Sequence, residues 1–243
     1  MEDYWNGITN IIFVFTMNLS AEVISQATGS TLANAEKFRP YLNRYMRKYE
    51  INTPSRVMAF LSQIGHESAK LSTTQEFASG QAYEGRSDLG NTNAGDGVKF
   101  KGRGLIQVTG RFNYQNVKEY FGWDVVSNPE LLQEPEKATE VSAWWWSNRL
   151  RGGKNLNQWA DGLDPTKSVY DGNNDYVFQE ITKAINGGLN GLSDRQNLFE
   201  KARTQYDTIK RQIGNFATFW WLIPIVLFGG TITYLYFRQK LKK

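Results

Sequence analysis

The sequence predicts a mainly α-helical domain with one long polar interruption, followed by a single transmembrane helix. Three observations lead there. Apolar residues recur at helical spacing through most segments between residues 20 and 212. Residues 72–104 break that pattern with a run rich in Ser, Thr, Gly, Asn and Asp. Residues 216–237, "FATFWWLIPIVLFGGTITYLYF", carry no charge at all. With 243 residues, 40% hydrophobic and 14% aromatic, the chain can build one good-sized core in two lobes, but not two full domains.

Taken in order, residues 1–16 are set apart as peripheral. The apolar stretch "ITNIIFVF" (8–15) is too short to span a bilayer, and it follows acidic Glu2 and Asp3 rather than a basic region. Met17 offers an alternative start. "SAEVISQATG" (20–29) reads as a short helix ending at glycine. Residues 33–49 keep a helical period that breaks or restarts at Pro40. Next, Thr53 is a fair N-cap and Pro54 a good first-turn residue, and Val57, Met58, Leu61 and Ile64 form one apolar face. Residues 72–104 are expected as loops and short extended pieces, and "GLIQVTG" (104–110) as a short strand or turn. Helical patterns return at about 111–121, 135–149, 175–185 and 194–212. A compact domain rarely keeps so long an irregular stretch unless it lines a site.

As a helix, residues 216–237 would be about 33 Å long, matching a bilayer core. Trp220, Trp221, Tyr234 and Tyr236 lie toward its ends, and Pro224 and Gly229-Gly230 are tolerable inside it. The net charge of +4 is a property of the tail. Arg238, Lys240, Lys242 and Lys243 supply all of it, so residues 1–237 balance. Charge placed there indicates a lipid membrane partner and a membrane-associated location, and no nucleic-acid groove. Lys201, Arg203, Lys210 and Arg211 precede the span, so the basic count assigns no topology.

Several chemistries are excluded by composition. Without cysteine there is no disulfide framework, thiolate metal site or cysteine nucleophile. One histidine, His66, excludes a multi-histidine metal cage and disfavours a Ser/His/Asp triad. No metal and no cofactor is expected. "DGNND" (171–175) fails as a calcium loop, with Tyr176 at position six and Thr182 at position twelve. "GRGLIQ" lacks the third glycine of a dinucleotide fingerprint and the lysine of a phosphate loop. In "WWW" (144–146), three successive helical residues face three ways, so most of that surface is expected in the core.

The candidate chemistry lies in "IGHESAKLSTTQEFASG" (64–80), which holds Glu67 and Glu76. Nine residues at about 100° each would put the two on opposite faces of a continuous helix. They can cooperate only if the helix ends between them, and Ser72, Thr73 and Thr74 favour that ending. Glu67 then sits at a helix C-terminus, where the dipole disfavours negative charge, and against an apolar wall it would suit a general acid. Glu76, in a polar loop, suits the base. Two carboxyls in unequal environments are the usual arrangement for cleaving a glycosidic bond. Glu84 in "AYEGR" is a rival base, and His66 is expected to be a structural hydrogen-bonding residue.

The segments "QIGHES", "QEFASGQAYEGRSDLGN", "GDGVKFKGRGLIQVTGRFNY" and "INGGLNGLSDR", in that order over about residues 54–205, resemble glycoside hydrolase family 19, whose members include chitinases and phage endolysins. The resemblance implies a lysozyme-like fold of two lobes about a central cleft. It also implies hydrolysis of β-1,4-linked N-acetylated aminosugars with inversion at the anomeric carbon. By the same resemblance Glu67 is the general acid, Glu76 the general base, and Thr109 the hydroxyl that helps hold the attacking water. Gln107, Asn113 and Asn186 match sugar-contacting positions, and Arg195 matches an arginine that orients the catalytic network. The expected organisation is a peripheral segment 1–16, a catalytic domain 17–212 and a membrane helix with basic tail over 213–243.

The absence of cysteine departs from the disulfide-bonded plant relatives. It moves the expectation from a secreted chitinase toward a monomeric endolysin acting on cell-wall peptidoglycan. Chitin hydrolysis is the alternative. A membrane-tethered glycan-binding protein without hydrolysis, or a membrane-disrupting tail, are the readings of another class. The span suggests a lysin held at the inner membrane until the membrane is breached.

Overall fold

The structure, a computed structural model, describes residues 17–214. It is mainly helical, as the periodicity predicts. Helix α1 (Ala21–Thr28) is capped by the Ser20 hydroxyl and ends on left-handed Gly29. Helix α2 (Leu32–Lys48) follows after a Thr31 cap. Helix α3 (Pro54–Glu67) starts with the Thr53 hydroxyl accepting from Arg56 N at 3.3 Å and with Pro54 in its first turn. Gly29, Thr53 and Pro54 are the boundary residues expected from the sequence, and the Ser20 and Thr31 caps are added by the structure.

The polar region contains single turns of 3-10 helix at Gln81–Tyr83 and Ser87–Leu89 and the one-turn helix α4 (Asp96–Lys99). Helix α5 (Arg111–Phe121) and helix α6 (Pro135–Asn148) come next. A two-stranded hairpin, β1 (Leu150–Arg151) against β2 (Lys154–Asn155), then leads into α7 (Leu156–Ala160). Helices α8 (Gly172–Asn186), α9 (Leu192–Arg203) and α10 (Tyr206–Gln212) complete the described chain.

Helix α3 is the axis of the core. Residues from Val57 to Gly65 are buried without a break, because α1 and α9 pack along it. Gly65 makes the approach to α1 possible: a Cβ there would lie 2.6 Å from the Thr28 carbonyl oxygen and 2.8 Å from Thr28 Cα. Helix α2 packs on α1 and α6. Of the three tryptophans, Trp146 is fully buried, edge-on to Phe60 at 5.4 Å, and its indole N–H donates to Asn157 Oδ1 at 2.9 Å. Trp144 and Trp145 are half-buried. The expectation of core therefore holds fully only for the third.

Several expectations are corrected. Pro40 does not interrupt α2, which runs through it. Its exposed position leaves the carbonyl it frees on the solvent face, where water can hydrate it. The helix expected over 194–212 is two, divided at Thr204 and Gln205. Of the two forms expected for "GLIQVTG", the structure has the turn, flanked by isolated bridges from Arg103 to Val108 and to Gln75.

The largest correction concerns the membrane. No helix among the described residues is long and apolar enough to cross one. The longest, α2, has 17 residues and carries Glu36, Lys37, Arg39, Arg44, Arg47 and Lys48. The run 216–237, its basic tail and residues 1–16 lie outside the described residues. Among the described residues the fold class is thus corrected to a helical domain without a membrane helix. The membrane location and lipid partner expected with the span are withdrawn with it.

One ion pair ties the polar region to the helical body. Asp96 is buried, accepts from Arg111 Nε at 2.8 Å and from Arg111 Nη2, and also accepts from Asn93 N at 3.0 Å. The Arg111 guanidinium holds the Asp96 carboxyl below its usual range, against the opposing effect of burial. The stability it supplies is therefore present above the ordinary carboxylate range near pH 3.8 and is lost as pH falls below it. Asp96→Asn should cost about 3 kcal/mol at neutral pH. In urea melts, its deficit relative to wild type should shrink as pH falls below about 4.

Candidate active site

Glu67 is the last residue of α3, so the helix does end between the two carboxylates. The turn that follows is strained. Ala69, Lys70 and Leu71 all have positive φ, at 47°, 62° and 58°. Left-handed non-glycine residues each cost on the order of 1 kcal/mol. Local bonds offset this: Lys70 N donates to Gly65 O at 2.6 Å, Leu71 N to Ser68 Oγ at 2.9 Å, and Leu71 is buried. The reversal carries the chain out of α3 toward Glu76.

The surroundings of Glu67 differ from the apolar wall expected. The buried Arg195 guanidinium donates to Glu67 Oε1 through Nη2 and to Gln63 Oε1 through Nη1 at 2.5 Å, and its Nε reaches the Asn190 carbonyl at 3.4 Å. Gln63, one helical turn before Glu67, is itself held by Nε2 donating to Thr182 Oγ1 at 3.1 Å. Glu67 Oε2 has no hydrogen-bond partner among the described residues and is not sealed from solvent. One oxygen is thus gripped from the interior and the other faces out.

Glu76 is fixed from a different segment. Its Oε1 accepts from Gly102 N at 2.8 Å, and its own N–H donates to Gly102 O at 3.0 Å. Its Oε2 accepts from the Tyr83 hydroxyl at 2.9 Å. Gly102 lies close to both side chains: a Cβ there would meet Gln107 Oε1 at 2.8 Å and Thr109 Oγ1 at 3.3 Å, so any larger residue would push the Gln107 amide aside. Gln107 takes a left-handed φ of 61°, and Thr109 Oγ1 donates to the Gln107 carbonyl at 2.8 Å. Asn113 Nδ2 donates to the Thr109 carbonyl at 2.7 Å.

Seven residues were expected in the site. The structure gathers Glu76, Gln107, Thr109 and Asn113 around Gly102, and Glu67 with Arg195 on the end of α3. Asn186 stands one step away, bonded to Asn190 and Gly188 rather than to any of the other six. Tyr83 belongs to the Glu76 group. Its phenol is pushed up to about 12, by burial first and then by the bond to Glu76 and that group's charge. Arg86 opposes the shift, and the charge of Glu67 adds to it.

Sequence reading missed Tyr83, Gln63 and Gly102. Gln63 was within reach, being four residues before Glu67 on the same helix face. Glu84, the rival base, is occupied elsewhere: its carboxylate clamps the N–H groups of Gly95 at 2.6 Å and Gly97 at 2.8 Å. His66 is structural as expected, with Nδ1 2.7 Å from Asp194 Oδ2. Among the described residues no acidic or histidine cluster could hold a metal.

Residues 43–214 match the family described as chitinase class I, glycoside hydrolase family 19, and the chain belongs to that family. A glycosyl hydrolase family 19 domain-containing protein of Haemophilus influenzae is 30% identical over 125 residues, 51% of each chain. The acidic 27 kDa endochitinase of Solanum lycopersicum is 31% identical over 141 residues, 55% of this chain and 53% of its own. The chain thus spans about half the length of the curated relatives it matches. The crystal structure of chitinase C from Streptomyces griseus shares the fold, with a TM-score of 0.55 at 19% identity, over 86% of this chain and 96% of that one.

The Tyr83 environment is directly measurable. Ultraviolet titration should show a Tyr83 component, obtained as wild type minus Tyr83→Phe, that ionises near pH 12 rather than near 10. Because the folded value is raised, the stability Tyr83 adds is present below pH 10 and is lost as pH climbs toward 12.

Proposed function

We propose that the chain hydrolyses β-1,4 bonds in a polymer of N-acetylated aminosugars, with Glu67 as proton donor and Glu76 as proton acceptor. The observation that carries this is the contrast between two carboxylates held in opposite ways, Glu67 at the end of α3 by a buried cation and Glu76 in the following loop by neutral donors. Glu67 is anchored at Oε1 by a buried cation, which stabilises the carboxylate left after Oε2 gives its proton to the leaving oxygen. Glu76 is held at both oxygens by neutral donors, so it keeps free lone pairs without a fixed counter-charge.

Thr109 completes the water site. Its proton is spent on the Gln107 carbonyl, so toward a water it can only accept. A water between Glu76 and Thr109 would give one hydrogen to each and turn a lone pair toward the anomeric carbon. Attack on the face opposite the departing oxygen inverts the configuration. The catalytic unit is residues 17–212.

Family membership and relatives named as endochitinases favour chitin as the polymer. The glycan strand of peptidoglycan carries the same bond and acetamido groups, and it is the second polymer to test. The amide groups of Gln107 and Asn113 suit that chemistry.

Purified protein should release reducing ends from one of these two polymers, with the inverted anomer appearing first by NMR. Glu67→Gln and Glu76→Gln should each lower the rate at least about 100-fold, measured at a temperature where the variant is shown to be folded. Glu67→Gln also strips the buried Arg195 of its counter-charge and should lower the thermal melt, whereas Glu76→Gln should not. Near-wild-type rates in either variant would discard its assignment. Mass spectrometry of the products from both polymers identifies the bond cut.

A further inference from the structure

We infer that Asn186 is a positioning residue for Glu67, acting through the Asn190 carbonyl and Arg195, rather than a sugar contact. The inference rests on the reading of Glu67 as proton donor. Asn186 is the last residue of α8, and its amide bonds the loop that leaves the helix through one N–H and through its oxygen. Its Oδ1 accepts from Gly188 N at 2.8 Å, and its Nδ2 donates to the Asn190 carbonyl at 2.8 Å. That carbonyl also takes the Nε–H of Arg195 at 3.4 Å, the longest of the three bonds the guanidinium makes. Asn186 therefore fixes the acceptor that aims one edge of Arg195, and Arg195 grips Glu67.

The loop has no freedom to compensate. Gly191 is pressed against the His66 ring so closely that a Cβ there would lie 2.3 Å from Cε1 and from Nε2. His66 is bonded to Asp194, and the next residue on each side, Glu67 and Arg195, forms the second tie. The end of α3 and the first turn of α9 are thus joined at two consecutive residues, with the 187–191 loop wedged beside them. A guanidinium is planar and stiff, so a displaced partner at Nε moves Nη2 as well. If the Asn190 carbonyl loses its better donor, the error arrives at Glu67 Oε1.

The test is a double-mutant cycle on a short soluble oligosaccharide. Asn186→Ala should lower kcat about tenfold or more and leave KM within about twofold. In an Arg195→Lys background it should add no further loss, because both act through one path. A raised KM at unchanged kcat, or losses that multiply, would mark a direct sugar contact and overturn the inference. Asn186→Asp keeps the acceptor for Gly188 and removes the donor to Asn190, so it must fall in kcat in the same way should Asn186→Ala fail to fold.

A second readout needs no activity. The Arg195 Nε–H resonance in a 15N-labelled sample should be sharp and slow to exchange in wild type, and shifted or lost in Asn186→Ala. An unmoved resonance overturns the inference whatever the polymer. Full activity in Glu67→Gln would remove the hydrolase reading while leaving this resonance result intact.

Discussion

Arg195 is a fully buried cation, and the site is assembled around the need to satisfy it. Isolated, such a charge would cost several kcal/mol, and removing one of its partners typically costs about 3–5 kcal/mol. The chain answers with three acceptors from three segments: Gln63 and Glu67 from α3, and the Asn190 carbonyl from the loop before α9. The packing of α9 on α3 brings these together, and that packing also forms the centre of the core. The interaction that sets the carboxylate therefore shares its structural support with the fold as a whole.

The second carboxylate is placed by backbone rather than by charge. Glu76 exchanges two hydrogen bonds with Gly102, and the Gln107 and Thr109 side chains occupy the space beside that glycine. Between the two glutamates, three left-handed residues turn the chain sharply out of the helix. Strain at that point, held by a buried Leu71 and a bonded Ser68, is the kind of over-determined geometry that a functional site retains.

Much of this was legible in the sequence, and the reasons differ by element. Helix α3 could be read whole, because a cap, a first-turn proline and an apolar face all agree. The separation of Glu67 from Glu76 was legible from Ser72, Thr73 and Thr74 as an ending, but not in its form. Ala69, Lys70 and Leu71 have no preference for left-handed backbone, and only long-range packing imposes it. Pro40 misled because exposure decides whether a helix can absorb a proline, and a local pattern does not reveal exposure. The hairpin at 150–155 carried a signal that went unused, a Gly152-Gly153 pair between its strands. The cation beside Glu67 came from family resemblance alone. Arg195 lies 128 residues away, and no spacing rule reaches that far.

The irregular half of the molecule is fastened without covalent cross-links. Glu84 bridges the N–H groups of Gly95 and Gly97, and Asp96 closes on Arg111, in a chain that has no sulfur bridges. Such fasteners form as fast as the backbone collapses and need no oxidant or isomerase to reach their final pairing. Thiol reductants, which loosen cross-linked loops, have nothing here to act on. Maturation of this region is therefore indifferent to the redox state of the compartment in which it folds.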